Sequence, residues 1–68
     1  MRITKHAEER IMERGITVGN LVHAMKNGVV MPHRTDGDKC VVRTNEIYVI
    51  MNKAMDTVIT AFMNERYA

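Results

Sequence analysis

Apolar residues recur at helical spacing early in the chain and at strand spacing through the second half. After Thr4, a good N-cap, the run His6–Arg14 sets Ala7 and Ile11 four apart on one face, and Gly15 follows at the C′ position. Ile3 and Ile16 flank this predicted helix as staples. Glu8 and Glu9 in its first turns and Arg14 in its last complement the helix dipole. A second helix is expected from the Thr17 cap, with Val18, Leu21, Val22 and Met25 as its apolar stripe and Asn27-Gly28 as its stop.

From Val29 the pattern turns to strands. Val29–Met31 is short and closed by Pro32, and Arg34–Lys39 is a turn built on Asp36-Gly37. Cys40–Thr44, Ile47–Met51 and Thr57–Met63 follow, separated by Asn45-Glu46 and by the loop Asn52–Asp56. The tail Asn64–Ala68 is expected to fray or to dock on a neighbour. Short loops make consecutive strands antiparallel. The expected fold is α+β, two N-terminal helices on a four-stranded antiparallel sheet (α-α-β-β-β-β), one domain over residues 1–68.

Composition narrows the classes. With 46% hydrophobic residues and a net charge of +2, the chain is no disordered segment, and it carries no apolar run long enough for a membrane span. The start, Met1-Arg2-Ile3-Thr4-Lys5-His6, lacks a signal peptide's apolar core, so the expected compartment is the cytoplasm. Cys40 is the lone cysteine, which excludes an internal disulfide and leaves no Cys-plus-His metal spacing; no cofactor is expected. A core this small supplies only about 3–5 kcal/mol, so an idealised fold or oligomerisation must supply the rest, which leaves a homodimer open. Seven methionines read most simply as gap-fillers of that core.

Candidate chemistry sits on the first helix. His6, Arg10 and Arg14 recur at i, i+4, i+8 and form a ridge beside the Ala7–Ile11 stripe. A histidine shuttles protons near neutral pH and arginines grip a phosphate, so the ridge suits metal-independent RNA cleavage, in which the 2′-hydroxyl is the nucleophile. Glu9 and Glu13 offer the opposing account, arginines that are only ion-paired on a wet face. Thr60 is polar in an apolar strand, either half-buried in the sheet or pointing its hydroxyl into the site. His33 lines the same cleft or sits in a loop, His23 is an exposed helix residue, and Cys40 is structural. The three aromatics, Tyr48, Phe62 and Tyr67, are too sparse for a stacking platform. A DNA-reading second helix is disfavoured, since only Asn20, His23 and Lys26 lie on its outer face.

The segment Ile3–Thr17, with His6-Ala7-Glu8-Glu9-Arg10 and then Arg14-Gly15-Ile16, resembles the opening signature of a family of small bacterial and phage domains of uncharacterised function. Val58-Ile59-Thr60-Ala61-Phe62 is similar to that family's last strand. The family is grouped with the barnase–EndoU–colicin–RelE fold, which includes metal-independent RNase toxins. The resemblance implies an endoribonuclease-like or RNA-binding protein, with His6, Arg10, Arg14 and Thr60 as the active-site set. His6 would be the general acid and base, Arg10 and Arg14 the phosphate clamps, and Thr60 the residue that orients the substrate. Arg10, Arg14, Lys39 and Arg43 are the expected RNA-phosphate contacts. The alternative is a non-catalytic phage or mobile-element modulator that binds a host protein, with homodimerisation open to it.

Overall fold

The computed structural model describes residues 1–64. Its elements are β1 (Arg2–Ile3), α1 (Lys5–Glu13), α2 (Val18–Asn27), β2 (Val29–Pro32), β3 (Lys39–Arg43), β4 (Ile47–Asn52) and β5 (Thr57–Met63). The expected tail, Asn64–Ala68, lies outside the described residues except for Asn64, whose N–H donates to Glu46 O at 2.8 Å.

Both helices begin where capping chemistry places them. Thr4 Oγ1 accepts from Ala7 N at 3.0 Å, and Thr17 closes a reciprocal capping box with Asn20. Arg14 caps the end of α1, and Gly15 then takes φ 69°, the left-handed turn that glycine enters without steric cost.

The expected four-stranded antiparallel sheet is wrong. The sheet has five strands in the order β1-β5-β4-β3-β2, and β1 runs parallel to β5. The antiparallel run β2–β5 is as expected; the added strand is the two residues before the N-cap of α1. Two residues carry no period-two signal. Their pairing rests on contacts with the far end of the chain: Arg2 N to Asp56 O at 2.7 Å and Thr4 N to Val58 O at 3.2 Å.

The helices pack on one face of this sheet. Facing them are Val42 of β3, Ile47, Val49 and Met51 of β4, and Val58 and Ala61 of β5, which close over Ala7, Ile11, Leu21 and Ala24. No polar or charged side chain among the described residues is buried, so the hydrophobic effect holds the layers together at about 1.5–3 kcal/mol for each large buried side chain. Val58 and Ala61 are both fully buried, although strict alternation would put them on opposite faces. A β-bulge resolves this. Ile50 pairs with Thr60 but Met51 pairs with Val58, so Ile59 is the extra residue. The slip turns Thr60 and Phe62 to the face away from the helices.

The turn from β4 to β5 is tied by Asn52. Its Oδ1 accepts from Asp56 N at 3.0 Å and Thr57 N at 3.1 Å, while its amide donates to the Asp56 carboxylate. That donation, and next the Thr57 hydroxyl, hold the Asp56 carboxyl below its ordinary 3.8. The contribution is present above the unfolded value and is lost as pH falls through the lower folded one. In melts below pH 4, the unaltered protein is therefore expected to lose Tm faster with acid than Asp56→Asn; parallel acid curves would contradict this.

No helix is long and apolar enough to cross a membrane, and no group of three or more His, Cys, Asp or Glu is placed to hold a metal among the described residues. Cys40 is buried, its Sγ 3.5 Å from Asn52 O.

Candidate nucleic-acid interface

The face of the sheet away from the helices carries a groove of about 740 Å³. Register decides what lies in it. Arg43 stands opposite Tyr48, and Tyr48 opposite Phe62, so three neighbouring strands present a guanidinium and two rings in one row. The rings lie 5.2 Å apart between centroids at 33°. Parallel to this row, Met31, Val41 and Ile50 form an apolar floor, and Ile50 is only 7% exposed although it points away from the core. Three inter-strand spacings of about 4.8 Å put roughly 14 Å between β2 and β5.

The β2–β3 loop walls the groove with His33 and Arg34. His33 Nδ1 accepts from Thr35 N at 3.2 Å and Asp36 N at 3.0 Å. Two donors on Nδ1 assign the proton of the neutral ring to Nε2, which is left as a hydrogen-bond donor. Asp36 fixes the rest of the loop, accepting from Asp38 N at 2.9 Å and pairing with Lys39 at 3.2 Å. The Asp38 N–H and then Lys39 hold the Asp36 carboxyl below its ordinary value. Lys39 is thus occupied by Asp36 and does not line the groove, whereas Arg34 and Arg43 have no carboxylate partner among the described residues.

The expected catalytic set is divided by the sheet. Arg10 donates to Glu13 at 2.8 Å, the i,i+3 pair anticipated as its solvated-face account. His6 is exposed and has no hydrogen-bond partner among the described residues. Arg14 reaches furthest, donating to Ala61 O at 2.7 Å. The acceptor lies on the outer edge of β5, beyond the two residues that β1 pairs. Thr60 shares the open face with Tyr48 and Phe62, opposite the helix layer that carries the ridge. Arg14 therefore reaches the backbone edge of β5 at the residue after Thr60, whose side chain faces the other side of the sheet, while His6 and Arg10 converge on no described groove with Thr60. Arg43 is the expected RNA contact that lies in the groove itself.

Tyr48 and Phe62 are the residues that sequence reasoning passed over. Counted along the chain they are sparse; counted by strand register they are neighbours. The missing signal was the register of the β4–β5 pair, hidden because Ile47–Met51 is apolar at every position except the Tyr48 hydroxyl.

Among families of known proteins, the model described as Domain of unknown function (DUF4258) matches residues 3–63. No curated protein and no solved structure matches the chain.

Proposed function

The chain belongs to the DUF4258 family, described as a domain of unknown function, and from its geometry we propose that it binds single-stranded RNA across the open face of its sheet. The Tyr48–Phe62 pair carries this reading, because paired rings on an exposed sheet face form a stacking surface for unpaired bases. The apolar floor beside the rings suits the rest of a base, and Arg43 and Arg34 stand ready for phosphates at either side. The preference for RNA comes from the resemblance of Ile3–Thr17 and Val58–Phe62 to a family of uncharacterised small domains grouped with the fold of the RNase toxins. Arg14, already at the β5 edge next to Thr60 and Phe62, would extend the phosphate path beyond the groove.

Fluorescence anisotropy with a labelled single-stranded RNA oligomer tests the reading. Three phosphate contacts, from Arg14, Arg34 and Arg43, should release about 0.7 counterion each and give a log–log salt slope of roughly −2. Arg34→Gln with Arg43→Gln should flatten that slope by about 1.4. A slope near zero, or equal affinity for the same sequence as a duplex, would overturn the proposal. Cleavage is read on the same samples by gel. If His6 transfers protons, His6→Ala should slow cleavage by about 10²-fold or more.

A further inference from the structure

On the opposite side of the molecule a second groove, of about 360 Å³, opens between α1 and the start of α2. Its rim is formed by Met12, Val18 and Ile3, which are 74%, 73% and 40% exposed. No element among the described residues covers them: the buried stripe of α1 is Ala7 and Ile11, and that of α2 is Leu21 and Ala24. At 3.6 residues per turn, Glu8 and Met12 share one flank of α1, and His6 and Arg10 lie on the other. The groove and the ridge are thus separate surfaces.

We infer that this groove is a docking site for an amphipathic helix of a partner protein that carries an arginine or lysine among its apolar anchors. Two observations select this occupant. Glu8 is the one charged residue lining the groove, is exposed, and has no ion-pair partner among the described residues. An incoming cation would find a carboxylate at the edge of an apolar slot, an arrangement in which charge fixes register and apolar anchors supply affinity. The walls are helices, and β1 beside them is two residues long, so the site offers an incoming extended chain almost no backbone to pair with. A helix satisfies its own backbone and needs none. A second copy seated face to face on the same surface is the poorer fit, because the lining residues include no cation to meet Glu8.

The inference stands apart from the RNA reading and is tested with designed peptides on the whole protein. The probe is a helical peptide with leucines at i, i+3 and i+7 and one arginine on the groove-facing edge; its control has glutamate in place of that arginine. The arginine peptide is expected to bind at least tenfold more tightly than the control. Glu8→Gln should erase the difference. Met12→Glu with Val18→Glu should abolish binding, and because both side chains are already in water the fold and the RNA affinity should be unchanged. Equal affinity for the two peptides, binding that survives the double substitution, or no saturable binding would overturn the inference. So would a sedimenting dimer that the double substitution dissolves, since the occupant would then be a second copy.

Discussion

Replacing Tyr48 and Phe62 together by leucine is expected to weaken single-stranded RNA binding by about a hundredfold. Base–aromatic stacking is worth about 1–3 kcal/mol per base, and 1.4 kcal/mol is a factor of ten, so each ring lost removes roughly one order of magnitude. Leucine keeps the apolar floor covered while removing the π-face, which separates stacking from mere burial. The substitution spares the core. Phe62 is 38% exposed, and both rings lie on the face away from the helices, so the stability cost is that of the ring pair, about 0.5–1.5 kcal/mol. The single variants sharpen the test. Rings that grip the same base should be non-additive by about 0.5 kcal/mol or more, whereas rings that grip separate bases should add. RNA affinity unchanged in the double variant, with the protein still folded by circular dichroism, would remove the open face from the function.

How much of this was legible beforehand varies by the range of the interactions. The helices were legible because their determinants are local: Thr4 and Thr17 cap within three residues, and Gly15 terminates within one turn. The meander from Val29 to Met63 was legible because short turns force neighbouring strands together. The strand β1 was not, since Arg2 and Ile3 pair with Thr57 and Val58 across the whole chain, and two residues show no alternation.

The site divides along the same line. The ridge could be read from helical spacing alone, and so could its bland explanation, the Arg10–Glu13 pair. Whether Thr60 joins the ridge depended on the bulge at Ile59, which turns Thr60 away from α1, and no local pattern marks a bulge within Thr57–Met63. Tyr48 and Phe62 needed the same register to be seen as a pair. Arg14 is the instructive middle case. Its position on the ridge was evident, but not that a backbone carbonyl at the exposed edge of β5 would claim its guanidinium. Paired there, Arg14 also blunts an edge that would otherwise offer Ala61 O to another strand.

Gly28→Ala is expected to be the most damaging single methyl group that can be added to a glycine of this protein. The reason is not conformational freedom: Gly28 has φ −70° and ψ 154°, an extended backbone open to any residue. It lies where α2 passes directly into β2, its N–H bonded to Ala24 O at 2.8 Å. A Cβ there would overlap the Val42 side chain, lie 2.5 Å from Ala24 O and 3.3 Å from Arg43 O. Neither neighbour yields easily, because Val42 is 1% exposed and Ala24 O belongs to the last turn of the helix. The end of α2 must then move off β3, an overpacking cost of about 1–3 kcal/mol. Each kcal/mol shifts Tm by roughly 4–8 °C in a domain of this size, so a fall on the order of 10–20 °C is expected. Gly37→Ala, with open space around it, should be neutral or slightly stabilising, by at most about 1 kcal/mol. Gly15→Ala has open space but a left-handed φ of 69°, and should cost about 1–2 kcal/mol. Thermal melts of the three variants check the order, and Gly28→Ala melting above Gly15→Ala would refute it. Truncating Val42 as well should not restore stability, because the clash with the Ala24 carbonyl remains. The same shift would carry β2 and the His33–Arg34 wall with it, so RNA affinity should fall together with Tm in Gly28→Ala and in neither of the other two.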